Sequence, residues 1–233
     1  MAETHKLLLA LDSLKTINGI RFRLPKTKSD FERATDFYFD VFHRYESCML
    51  SKGGLKGERP LAMIQQNDAV NAQQVSIMAE DVESGKLVGY MQNCIIHKNS
   101  YQNKSLKELQ AIYPKPWANM SYLLDSVCLP FDKVFEKYEG CEKLFYIFNG
   151  ATDPKYQKRG IAMNYIYQSL RVAKAVGCDC AASKTTSDYS AKTCIDAGFE
   201  KLSEIKWKEQ IIDGEVYFDN VQFEIAEGYA RKL

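Results

Sequence analysis

Thr152-Asp153-Pro154-Lys155-Tyr156-Gln157-Lys158-Arg159-Gly160-Ile161-Ala162 is the stretch whose reading decides the fold. The apolar run Leu144 to Phe148 precedes it and reads as a buried strand. Met163 to Val176 follows it and reads as a helix. A strand therefore feeds a tight turn, and the turn opens a helix. The first N–H groups of such a helix have no partner within it. Together with the positive end of the helix dipole they make a seat for phosphate. Gly160 and Ala162 lack bulk, so a ligand can approach the backbone closely. Lys158 and Arg159 place positive charge beside the seat. The three glycines of a dinucleotide fingerprint are absent, and no Gly-Lys-Ser/Thr marks a P-loop.

Upstream, Ile20 to Leu24 alternates apolar and basic residues and reads as the first strand. Ser29-Asp30-Phe31-Glu32 matches a capping box with Ser29 as N-cap. The helix it opens repeats apolar residues at Phe31, Ala34, Tyr38, Val41, Phe42 and Tyr45, which predicts one buried stripe ending near Glu46-Ser47-Cys48. Ser51 to Gly54 reads as loop, and Pro60 to Asn67 as a short helix opened by proline. Val75 to Asp81 and Lys86 to Ile95 form a hairpin across Val82-Glu83-Ser84-Gly85. Residues 98–142 then make a helical insertion, with helices over Lys104 to Tyr113, Asn119 to Val127 and Asp132 to Tyr138, punctuated by Pro114, Pro116 and Pro130. Its aromatic residues Trp117, Tyr122, Phe131, Phe135 and Tyr138 serve either as core or as the floor of a pocket for a hydrophobic substrate.

Downstream, Gly177 closes the helix that follows the turn. Cys178 to Ser183 is a strand, and Ser187 to Ala197 a helix closed by Gly198. Phe199 to Glu209 and Val216 to Ile225 pair across Asp213-Gly214, a strong hairpin signal. The order of elements predicts an α/β fold with a mixed sheet flanked by helices.

The 233 residues are 45% hydrophobic, enough for one domain over 1–233, and no Pro/Gly/Ser-rich linker divides them. Leu7 to Leu11 is too short for a signal segment or membrane span, so 1–18 reads as a helical extension leaning on the domain. Lys plus Arg number 31 against 30 Asp plus Glu, a net charge of +1, which argues against nucleic acid or an anionic membrane as partner. The seven Cys are odd in number, without a Cys-x-x-Cys pair, and with three His they suggest no metal site. Reduced, mostly buried thiols in a cytoplasmic protein are expected, with Cys178 and Cys180 on one face of a strand as core. A monomer is favoured over an oligomer.

Gln157, Lys158, Arg159, Gly160, Ile161 and Ala162, with Pro154 three residues before the Gln, resemble the signature of the GCN5-related N-acetyltransferases, the GNAT superfamily. The order of strands and helices resembles that fold too. The likeness sharpens at Tyr38-Phe39, His43-Arg44-Tyr45-Glu46, Ser84 to Gly89, Thr186 to Ala191 and Ala197-Gly198-Phe199, which look like the arylalkylamine N-acetyltransferases of invertebrates. It runs loosely from Ile20 to Phe223. The resemblance implies a mostly antiparallel central sheet, splayed where acetyl-CoA enters. It implies that Gln157 to Ala162, with Met163, hold the pyrophosphate, and that backbone N–H groups of Gly150, Ala151 and Thr152 hold the acetyl carbonyl. Gly150 suits a break in a sheet.

An amine attacks a thioester only as free base, so such an enzyme needs a proton acceptor. The resemblance places that base at Glu46 and assisting hydroxyls at Thr186 and Ser190. The family often has Pro after this Glu, where the chain has Ser47. Thr186 reads equally as a helix N-cap and Ser190 as bonded to its own helix. His43 reads as a surface residue, Tyr189 as core, and Asp188 as a further polar candidate. The expected activity is acetyl transfer from acetyl-CoA to the primary amine of a small arylalkylamine such as dopamine, tyramine or serotonin, without metal. The alternatives are a peptide, protein or polyamine acetyltransferase, and a non-catalytic acyl-CoA-binding protein.

Overall fold

The computed structural model describes residues 16–53 and 58–233, so the extension expected around Leu7 to Leu11 lies outside the described residues. Eight strands form one sheet in the order β1-β2-β3-β4-β5-β6-β10-β7. They are β1 Thr16–Ile17, β2 Ile20–Arg23, β3 Ile77–Asp81, β4 Leu87–His97, β5 Lys143–Thr152, β6 Cys180–Thr185, β7 Glu200–Lys206 and β10 Ile225–Lys232, while β8 Ile211–Ile212 and β9 Glu215–Val216 make a separate ribbon. Every pairing in the large sheet is antiparallel except β5 with β6. The helices are α1 Lys28–Phe37, α2 Ser47–Ser51, α3 Leu61–Asn71, α4 Leu106–Ile112, α5 Lys115–Tyr122, α6 Phe131–Lys137, α7 Ile161–Ala175 and α8 Asp188–Asp196. They cover both faces, and apolar clusters fill the space on each side.

The strand-turn-helix read from the sequence stands as β5, the turn and α7. Both strands of the β3–β4 hairpin form as expected. Five expectations are corrected. The capping box lies two residues earlier, with Thr27 accepting from Asp30 N–H and Asp30 receiving the Thr27 N–H, because Asp30 also meets Arg23 at 2.5 Å. Asp213-Gly214 turns only the short β8–β9 ribbon, whereas β7 pairs with β10 from Ile225 to Ala230. Cys141 and Cys180 form a disulfide, with Cα atoms 6.4 Å apart, rather than two free thiols. Cys178 is a buried free thiol outside β6, so it does not share a strand face with Cys180.

The fifth correction concerns the first long helix. It continues past Phe37 as a π-helical turn, Tyr38–Phe42, before a last turn, His43–Tyr45. A π turn holds one residue more than an α turn, so the buried face rotates beyond it. Phe39 and His43 turn inward, and Tyr45, expected in the stripe, is 55% exposed. No described helix is long and apolar enough to cross a membrane.

Candidate active site

The turn after β5 takes a form suited to anions. Lys158 (φ 63°) and Gly160 (φ 75°) are both left-handed, which turns successive N–H groups toward one concavity. Gly160 is the N-cap of α7 and offers no side-chain cap, so the first helical N–H groups remain for a ligand. The Asn164 amide is occupied on the Gly160 carbonyl at 2.9 Å. Gln157 and Lys158 are exposed and Met163 is half-buried. The Arg159 side chain is directed elsewhere. Its guanidinium donates to the Asn18 carbonyl at 2.8 Å and lies 5.2 Å from the Tyr156 ring centre, which leaves its backbone in the turn.

The sheet opens beside this turn. The parallel rungs between β5 and β6 end at Ile147 opposite Ser183, where the Ser183 hydroxyl donates to the Ile147 carbonyl at 3.2 Å. Beyond that rung β5 runs on to Thr152 paired with β4, and β6 runs on to Thr185 paired with β10. Gly150, Ala151 and Thr152 thus line one side of a wedge, and Gly150 is exposed although its strand is internal to the sheet. A Cβ at Gly150 would sit 2.5 Å from the Met91 methyl, so the missing side chain lets β4 close up behind the wedge.

Glu46 stands on the other side. The backbone breaks to an extended conformation there (ψ 124°), and the carboxylate caps α2 by accepting the Met49 N–H at 2.7 Å. Its second oxygen accepts from the Thr186 hydroxyl at 3.1 Å, across 140 positions of sequence. Burial raises the Glu46 pKa above the usual carboxylate range, against the pull of the Met49 N–H and Thr186. A carboxylate held in this way is a better proton acceptor than an exposed one. Ser47 accepts the Gln222 N–H at 2.9 Å, so the residue standing where proline is common ties down the loop before β10.

Thr186 therefore contacts Glu46, and Ser187 is the N-cap of α8. Ser190 bonds Ser187, donating to its carbonyl at 2.9 Å, and makes no bond to Glu46. Tyr189 is 79% exposed rather than core, and Asp188 is exposed. His43 is buried, with neither ring nitrogen bonded and the rings of Tyr38, Phe39, Phe42 and Trp117 around it, so burial pulls its pKa down to about 4. The expectation of a surface histidine failed because the π turn moved it one position around the helix.

Two neighbours escaped the sequence reading. Asn149 donates to Gln92 at 3.0 Å and reaches the Tyr38 hydroxyl at 3.4 Å, while Gln92 bonds Asn67 and Asn67 bonds Thr35 at 2.6 Å. Gln92 faces inward because β4 bulges between Met91 and Asn93. Lys184, at the end of β6, has a fully buried side chain paired with Asp125 at 2.5 Å. A lone lysine within Cys180 to Thr185, otherwise uncharged, was the available signal.

The wedge, the uncapped turn and the strand order together define the GNAT fold, with β5 and β6 diverging past Ile147. In structure the chain is similar to the arylalkylamine N-acetyltransferases of insects. Arylalkylamine N-acetyltransferase 2 from Aedes aegypti is 21% identical with a TM-score of 0.81, over 92% of this chain and 99% of that one. The Drosophila melanogaster polyamine N-acetyltransferase that forms N-acetylagmatine is 14% identical with a TM-score of 0.74, over 92% and 100%. The NatC complex bound to Gag peptide and CoA is more distant, at 12% identity and a TM-score of 0.53, over 92% and 98%. No protein-family profile matches the sequence, and no curated protein matches it.

Proposed function

We propose that the whole chain is one acetyltransferase domain that moves an acetyl group from acetyl-CoA to the primary amine of a small arylalkylamine. The observation that carries this reading is the buried Glu46 carboxylate bonded by the half-buried Thr186, the residue just past the end of β6. The turn from Gln157 to Met163 receives the pyrophosphate on its backbone N–H groups. The pantetheine arm lies in the wedge, where backbone of Gly150, Ala151 and Thr152 stabilises charge developing on the thioester carbonyl. Glu46, directly or through one water, takes a proton from the ammonium form of the acceptor. The free amine attacks the carbonyl carbon, the C–N bond forms, the C–S bond breaks, the attacking nitrogen gives up its surplus proton to solvent, and the departing thiolate takes one up from solvent. Thr186 holds the Glu46 carboxylate in place, and Ser190 bonds Ser187, the cap of α8 that follows Thr186.

The arylalkylamine class is supported by the aromatic cluster that runs from the helix leading to Glu46, with Trp117 lying 6.5 Å by ring centres from both Phe42 and Phe148. The test is thiol release from acetyl-CoA with a panel of amines. Tyramine, dopamine, serotonin and phenethylamine should exceed spermidine and peptide N-termini in kcat/KM. Release with none of them, despite CoA binding, would leave a non-catalytic acyl-CoA-binding protein. A peptide or polyamine preferred by about tenfold, a difference of 1.4 kcal/mol, would replace the substrate class.

A further inference from the structure

A buried lysine on an apolar strand needs a reason, because burial penalises its charge. Lys184 is the penultimate residue of β6, past the last rung shared with β5. Its ammonium lies 3.7 Å from the centre of the Phe131 ring and 4.9 Å from that of Tyr146, within cation–π range of both. Its one ion-pair partner among the described residues is Asp125, in the π-helical segment Leu123–Cys128. Leu129, the next residue, brings that segment down onto the sheet. It lies over Gly228, the cross-strand partner of Lys184, where a Cβ would come within 2.6 Å of the Leu129 Cβ. The lysine is wholly buried, but the Asp125 side chain remains 35% exposed, so the carboxylate forms the outer wall of the cage.

This cage adjoins the acceptor side of the site. Thr186, which holds Glu46, is two residues beyond Lys184. Tyr146 packs on Phe148, Phe148 on Trp117 and Trp117 on His43, three residues before Glu46. Asp125 acts electrostatically on Tyr113, and Tyr113 and Glu46 both act on Tyr38. A carboxylate and two aromatic faces next to an amine site form the arrangement that would hold the distal cation of a diamine. The chain's own ammonium occupies it.

We propose that Lys184 is a specificity-determining residue whose ammonium fills a cation seat built by Asp125, Phe131 and Tyr146, so that the acceptor site rejects a second positive charge and admits an uncharged tail. The proposal rests on the acetyltransferase reading for the word acceptor, though the seat itself can be probed by binding alone. Lys184→Met empties the seat and leaves Asp125 to attract a cation. Agmatine and putrescine are the probes, with phenethylamine as the monoamine reference.

Two measurements are made on the CoA-loaded protein: calorimetric binding of agmatine, and the ratio of kcat/KM for agmatine to that for phenethylamine. Lys184→Met should tighten agmatine binding and raise the ratio by about tenfold or more, the range of a desolvated cation–π contact joined to an ion pair. Lys184→Arg, which keeps the internal cation, should stay near wild type. The double variant Lys184→Met/Asp125→Asn should lose the gain. If wild type acetylates no amine, the acetyltransferase reading fails, yet tighter agmatine binding to Lys184→Met that vanishes in the double variant still supports the seat. A Lys184→Met protein that binds CoA like wild type but gains neither agmatine binding nor ratio overturns the proposal. Lys184→Gln carries the same expectations should the methionine variant fail to fold.

Discussion

In the proposed reaction Glu46 is the residue on which the chemistry turns. Glu46→Ala should lower kcat by about a hundredfold to ten-thousandfold, the usual effect of removing a positioned base. CoA affinity should hold, because the turn from Gln157 to Met163 lies on another element. Steady-state kinetics across pH check this, and the rising limb of the wild-type profile should vanish in the variant. Turnover within a few-fold of wild type would move the base elsewhere. Thr186→Val removes a bond that favours the carboxylate, so it should shift the rising limb to higher pH while costing less rate. Stability carries a second signature. A carboxyl whose folded pKa is raised adds stability below its unfolded pKa and loses it as pH rises through the folded value. Glu46→Gln lacks that loss, so its melting temperature should gain on wild type as pH rises above 4.5 in differential scanning calorimetry. At this scale the sequence was partly legible. Glu46 and Thr186 could be named by resemblance, but their contact joins segments 140 positions apart and has no local trace. Asn149 and Lys184 escaped because a polar residue in an apolar strand reveals its partner only after the sheet has formed.

The decisive element is the strand-turn-helix, and its local signals agree, which is why it could be read. Apolar β5, left-handed Gly160 and amphipathic α7 each point the same way. Gly160→Trp should abolish stabilisation by CoA, since the side chain fills the anion seat and its left-handed backbone strains any L residue by about 1–2 kcal/mol. Thermal shift with and without CoA measures this, and equal shifts in both proteins would refute the assignment of the turn. The first helix was less legible because hydrophobic periodicity assumes 3.6 residues per turn. The π turn at Tyr38–Phe42 breaks that count, turning His43 inward and Tyr45 outward. The Asp213-Gly214 signal was real but local. It fixed a tight ribbon, while the partner of β7 was decided by the sheet.

Across the whole molecule the Cys141–Cys180 disulfide closes a loop of 39 positions that contains β5, the turn and α7. Breaking it should cost about 2–4 kcal/mol. Comparing the melting temperature of wild type with and without reductant, and with Cys141→Ala/Cys180→Ala, measures that cost, and an unchanged value would show that the bridge contributes nothing. The position of β10 has a consequence of another kind. It lies between β6 and β7, yet both precede it in the chain. On the ribosome, therefore, β6, α8 and β7 emerge while the strand that joins them is still inside the exit tunnel. For that interval the nascent chain carries two open strand edges, the kind of surface that recruits chaperones or pairs wrongly. A ribosome stalled before Ile225 would therefore hold a product with both edges open and adhesive.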